Sequence, residues 1–115
     1  MKRTQVAAFK ALGDPNRIRI MKMLERRRLC VCEVREILGL SNSTVSKHLS
    51  ILRDAGLVID SKDGKWVNYR LNDRAADGFI RSLLTSLRSS FGEDEDVQTD
   101  RSKVRRVDRK KICGL

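Results

Sequence analysis

The sequence predicts a small, mostly α-helical domain with one β-hairpin, an α+β fold. Apolar residues recur at helical spacing in successive segments, and Gly, Pro or Ser stand between them. A single Asp63-Gly64 pair separates two β-prone runs, which is a strong hairpin signal. The chain has 115 residues, with one Pro and seven Gly, enough for one domain and a tail. A domain of this size buries a limited share of its surface, so a second copy would help stabilise it.

The first helix is expected over 3–12, where Val6, Phe9 and Leu12 share one face. Gly13 stops it. Asp14-Pro15 starts the second helix, with Asp as N-cap and Pro at the first helical position. That helix buries Ile18, Met21 and Leu24 among Arg17, Arg19 and Lys22, and runs out near Arg26-Arg27-Arg28. A short third helix is expected over 32–38, burying Val34, Ile37 and Leu38. After Gly39-Leu40, Ser41 can cap a fourth helix over 42–55, which ends at Gly56. At about 100° per residue, Val45, Leu49 and Leu52 lie on one face and Ser43, Ser46, Lys47 and Ser50 on the other. A short helix, a glycine turn and a helix with a small polar and basic face follow the order of a helix-turn-helix.

The hairpin comes next, as a wing. Its first run is 57–62 and its second 65–71, where Val67, Tyr69 and Leu71 alternate inward. Lys62, Lys65 and Arg70 are left for solvent or phosphate. The expected turn is Asp63-Gly64, with positive φ at both central positions. The last helix is expected from about Asn72 to Phe91. Phe79, Ile80, Leu83, Leu84, Leu87 and Phe91 form a stripe broader than intrasubunit packing needs, so the first and last helices are read as a homodimer seam.

Charge divides the chain at Phe91. Residues 1–91 hold 18 Lys/Arg and 9 Asp/Glu, or +9; residues 92–115 hold 7 and 6, or +1. The first part is the expected winged helix-turn-helix DNA-binding and dimerisation domain. The second is expected to be a flexible charged tail that carries Cys113. A basic excess of this size points to a polyanion, and double-stranded DNA fits the motif. One His in the whole chain excludes a His-rich metal site. No apolar run is long enough to cross a bilayer. The N-terminus has no signal-peptide pattern, so a cytoplasmic location without membrane association is expected.

The recognition helix would place Asn42, Ser43, Thr44, Ser46 and Lys47 against the major groove. Asn42 can pair with adenine, the hydroxyls with bases or phosphate, and Lys47 with guanine or phosphate. Lys62, Lys65 and Arg70 would neutralise phosphates, adding salt-dependent affinity without sequence reading. Taken singly, each is better read as a solvated surface group, and it is the constellation that is specific. His48 lies about 60° from Val45, toward the buried side, and is read as structural.

Leu29-Cys30-Val31-Cys32-Glu33 stands at the entrance to the third helix. Both Cys are readable as small buried hydrophobes or as a chelating pair. Residues i and i+2 of an extended stretch face the same way, but in an ideal helix they lie about 200° apart. Binding by both sulfurs therefore requires the start of this helix to open, and this helix braces the recognition helix. Arg26, Arg27 and Arg28 are expected to favour thiolate, the metal-binding form. Two thiolates are an incomplete shell, since zinc takes four ligands. Cys113 is the remaining thiol and is either a third ligand or incidental.

Four segments together resemble the ArsR/SmtB family of winged-helix metal-sensing repressors. They are Ala11-Leu12-Gly13-Asp14-Pro15-Asn16-Arg17, Leu29-Cys30-Val31-Cys32-Glu33-Val34, Ser41-Asn42-Ser43-Thr44-Val45-Ser46-Lys47-His48-Leu49, and Asp63-Gly64-Lys65-Trp66-Val67-Asn68-Tyr69-Arg70-Leu71. The resemblance covers about residues 5–90. It implies a homodimer that binds an operator and blocks transcription until an inducer metal or metalloid releases it. DNA contacts are implied at Ser43, Ser46 and Lys47, with Asn42 where many members carry Gln. The Cys30–Cys32 stretch is similar to the inducer site of the arsenite-responsive branch, which implies arsenite or antimonite as inducer and no required cofactor. That branch often has a third Cys where this chain has Arg35. The cadmium- and lead-sensing branch adds N-terminal Cys, absent here. The zinc branch uses His and carboxylates on the last helix, where this chain has Asp73 and Asp77 but no His.

The leading expectation is thus a repressor released by arsenite or antimonite on Cys30, Cys32 and Cys113. A thiol redox or persulfide sensor and a cadmium- or lead-sensing repressor of the same fold are the alternatives. A small thiol enzyme is disfavoured, because the chain has no Cys-x-x-Cys and no glycine-rich phosphate loop.

Overall fold

A computed structural model describes residues 2–112. The helices are α1 (Arg3–Leu12), α2 (Pro15–Leu24), α3 (Val31–Leu38), α4 (Asn42–Asp54), α5 (Gly78–Arg88), α6 (Glu95–Arg106) and α7 (Arg109–Ile112). The strands are β1 (Leu29–Cys30), β2 (Val58–Asp63) and β3 (Trp66–Leu71). They form one antiparallel sheet in the order β1-β3-β2. Leu29 lies opposite Tyr69 and Cys30 opposite Asn68, while Val58 pairs with Leu71 and Asp63 with Trp66. A helix-turn-helix flanked by such a sheet is a winged helix.

Local chemistry sets the boundaries. The Asp14 carboxylate accepts the N–H groups of Asn16 at 2.8 Å and Arg17 at 3.2 Å, satisfying two free donors at the start of α2. Gly39 closes α3 at φ +72°, a left-handed position that costs glycine least. Ile20, Met21, Val34, Ile37, Val45, Leu49 and Leu52 meet in one core with Leu57, Tyr69, Leu71, Ile80 and Leu84. The face expected of α4 is therefore the buried one. Lys22, read from the sequence as a cation between apolar positions, is also buried. Its ammonium donates to Leu87 O at 2.7 Å and pairs with Glu25 at 2.9 Å, so it closes the C-terminal end of α5.

Several expectations are corrected. The hairpin turn sits one residue later, on Gly64-Lys65, because Asp63 pairs with Trp66 inside the ladder. Only Gly64 there takes positive φ, at +61°, as at the first central position of a type II′ turn. Val67 faces solvent, and Asn68 is buried beside Tyr69. Neighbouring strand residues face opposite ways, so both sides of β3 are covered at this point. In α1 the buried residues are Ala8 and Ala11, with Phe9 59% exposed. The last helix of the expected domain begins only at Gly78, where Asp77 accepts the Phe79 N–H at 2.9 Å.

The largest difference concerns 92–115, expected to be a flexible tail. Residues 95–106 instead form α6, which packs on α2 and α3. Val97, Asp100 and Val104 are buried on one helical stripe. Asp100 receives a two-pronged bond from Arg19, at 2.8 and 2.9 Å. Two apolar anchors and one ion pair are enough to dock a helix that is polar elsewhere.

Candidate nucleic-acid interface and thiol site

The start of α4 is a polar, solvent-facing turn. Ser41 caps it, its Oγ accepting the Thr44 N–H at 3.2 Å and donating to Thr44 Oγ1 at 2.9 Å. Ser43 Oγ lies 3.2 Å from Ser41 Oγ. Asn42, Ser43, Thr44 and Lys47 are exposed and Ser46 is half-buried, so all five expected contact residues share this helix. Lys62, Lys65 and Arg70 are exposed on the wing. Together these are an exposed helix face with donors and acceptors, and a basic hairpin, the two parts that grip a duplex.

Two contacts that the sequence reading missed orient this helix. Arg17 donates through Nε to Ala11 O at 2.6 Å and through Nη1 to His48 Nδ1 at 3.1 Å. A guanidinium only donates, so His48 Nδ1 is the acceptor, in keeping with a structural His48. Arg17 thereby ties the end of α1 to α4. On the other side, Arg53 joins α4 to β2 through Asp60 at 3.1 Å.

Cys30 ends β1, faces Asn68 across the sheet, and is the N-cap of α3. Glu33, three residues on, completes a capping box by accepting the Cys30 N–H at 3.0 Å, which is the sequence signal that marks Glu33. Glu33 is itself buried. Its other oxygen takes Arg27 Nη1 at 3.0 Å, and Arg109 Nη2 approaches at 3.2 Å. Burial would raise the Glu33 carboxyl, but the Cys30 N–H and the Arg27 guanidinium outweigh it and hold the group below its ordinary value. Burial pushes the Cys30 thiol up, and the adjacent Glu33 carboxylate adds to this against the pull of the Glu33 N–H and Arg109.

For Cys30 the expected preference for thiolate is therefore corrected. Arg27 spends its charge on Glu33, and Arg26 and Arg28 face solvent. Burial and the Glu33 carboxylate both disfavour the Cys30 thiolate. Cys32 is half-buried in the first turn of α3. Cys113 lies outside the described residues. Among the described residues, no group of three or more His, Cys, Asp or Glu is placed to hold a metal ion. Asp73 pairs with Arg88 at 2.8 Å, and Asp77 caps α5.

Fold and surface together define a winged-helix DNA-binding protein. A family model described as bacterial regulatory protein, arsR family, matches residues 14–60. The arsenical resistance operon repressor of Bacillus subtilis (strain 168) is 38% identical over 88 residues, covering 76% of this chain and 84% of that one. The arsenical resistance operon repressor of Escherichia coli (strain K12) is 44% identical over 68 residues, and the match spans 58% of each chain. The solved structure of reduced HlyU from Vibrio cholerae N16961 superposes with a TM-score of 0.64 at 30% identity, over 78% of this chain and 90% of that one. The chain belongs to the arsR family of bacterial regulatory proteins. It is a DNA-binding transcriptional regulator and not an enzyme. Among the described residues, no helix is long and apolar enough to cross a membrane.

Proposed function

We propose that the chain is a homodimeric repressor that, in its reduced form, leaves its operator when trivalent arsenic or antimony binds the sulfurs of Cys30 and Cys32, with Cys113 as candidate third ligand. The observation that carries this reading is the place of Cys30, which is at once the cap of α3 and the partner of Asn68 in the wing sheet. In the uninduced dimer, Asn42, Ser43, Thr44, Ser46 and Lys47 meet the major groove while Lys62, Lys65 and Arg70 meet phosphates. Arsenite arrives as As(OH)3. Each As–S bond that forms releases one hydroxide from arsenic, and the thiol proton leaves with it as water. A thiol is thus a competent reactant without prior loss of its proton. Cys30 stands in extended backbone and Cys32 in the helix, so bringing both sulfurs onto one atom opens the first turn of α3. That helix shares its core with α4 through Val34, Ile37, Val45 and Leu49, and the disturbance reaches the DNA-reading helix directly.

The test is a fluorescence-anisotropy titration of arsenite into a protein–operator complex under reducing conditions. Operator affinity is expected to fall by a factor within the usual allosteric range of about 5–150. Cys30→Ser is expected to hold the operator and ignore arsenite, while Cys113→Ser reports whether the third thiol contributes. Undiminished binding at saturating arsenite rejects the reading, and release by peroxide alone selects the redox alternative.

A further inference from the structure

Arg109 joins three elements that lie far apart in sequence. Its Nη2 donates to Asn68 Oδ1 on β3 at 2.7 Å and to Glu33 Oε1 on α3 at 3.2 Å. Its guanidinium lies over the Trp66 ring, 4.9 Å from the centroid, within cation–π range. Glu33 and Asn68 are both about 2% exposed. A second arginine completes the clasp: Arg27 donates to Glu33 at 3.0 Å and to the carbonyls of Val104 at 3.1 Å and Val107 at 3.3 Å. The C-terminal segment is thereby bound to the cysteine-bearing helix and the wing strand at a single buried carboxylate.

We propose that Arg109 is a positioning residue that couples the thiol site to the wing. The proposal rests on the thiol-inducer reading above. Glu33 occupies the third position of α3, so opening the first turn of α3 displaces the carboxylate on which Arg109 is seated. The Asn68 and Trp66 contacts go with it. Those residues alternate along β3 with Val67 and precede Arg70, and the strand joins Lys65 at the tip. Loading the cysteines then loosens the phosphate-contacting wing as well as tilting the recognition helix. The β1–β3 pairing already ties Cys30 to the wing through the backbone, and Arg109 adds a second, side-chain route.

The test compares the full chain with Arg109→Gln and Arg109→Lys. Without DNA or inducer, Arg109→Gln is expected to raise amide hydrogen exchange about fivefold or more at both 29–34 and 66–71. In operator titrations it is expected to weaken uninduced binding by a similar factor and to shrink the further loss caused by arsenite, with free-protein arsenite affinity rising in step by linkage. Arg109→Lys keeps the charge but not the planar fork, and little recovery is expected. An exchange increase confined to 107–112, an unchanged arsenite response in a responsive system, or full recovery by lysine overturns the coupling. If arsenite releases neither wild type nor variant, the inducer assignment fails, and the exchange pattern still decides whether Arg109 links the two regions.

Discussion

Glu33 shows how one buried carboxylate organises a site. It caps α3 through the Cys30 N–H and neutralises two arginines. Replacing it by Gln keeps the shape but removes the charge that both guanidinium groups face. The expected cost near pH 7 is about 1–3 kcal/mol in urea unfolding, the usual penalty for leaving buried polar groups poorly matched. The folded chain holds Glu33 below its ordinary value, so the unfolded chain takes up this proton first as pH falls. The Glu33 contribution is full above the ordinary glutamate range and is lost as pH drops through the depressed folded value. The stability gap between wild type and Glu33→Gln should therefore narrow from about pH 7 toward pH 4. An equal gap at both pH values would show that the charge plays no part. The capping-box spacing from Cys30 to Glu33 was readable in the chain. The second partner, Arg109, is 76 positions away, and no local pattern announces it.

At the level of elements, α6 is the case where composition misled. Its low apolar content and charge runs read as disorder. The charges are nevertheless ordered along an axis: Glu95 and Asp96 fall in the first turn, and Lys103, Arg105 and Arg106 in the last, which suits the helix dipole. Asp94 caps the start by accepting the Val97 N–H at 3.0 Å. Docking then rests on Val97, Val104 and the Arg19–Asp100 pair, with Arg27 holding the Val104 and Val107 carbonyls at the far end. Asp100→Ala is expected to cost about 1–3 kcal/mol, less than a fully buried pair because Arg19 keeps solvent contact. Thermal denaturation would report the loss, and limited proteolysis should begin within 95–106. A melting curve and cleavage pattern identical to wild type would mean that the ion pair does not hold α6. The recognition helix behaved otherwise. Its cap, apolar face and glycine stop all agreed, so its limits were legible to within a residue.

Across the whole molecule, exposed aromatic residues mark the proposed dimer seam. Phe9 is 59% and Phe91 47% exposed, and Phe9 packs edge-on against Phe79 with centroids 5.5 Å apart. Phe9 on α1 and the half-buried Phe79 on α5 thus share one apolar surface, with Phe91 just beyond α5, as the proposed dimer seam requires. Phe9→Glu should shift the chain toward monomer in sedimentation equilibrium and weaken operator binding, because a dimer reads two half-sites. A variant that stays dimeric would move the seam elsewhere. Circular dichroism should remain that of the wild type, since Phe9 contributes little to the subunit core.

The chain by itself determined the order of helices and hairpin, the solvent face of α4 and the kinship carried by the Cys-Val-Cys and Ser-Asn-Ser-Thr segments. All of these depend on spacing within a few residues, where helix and strand periodicity act. Tertiary structure alone decided that burial pushes the Cys30 thiol up, that Cys30 pairs with the wing, that Lys22 is buried, and that 95–106 folds back to bring Arg109 onto Glu33. Burial and long-range ion pairing control those outcomes. Both depend on which surfaces meet in space, and that information is absent from any local window of sequence.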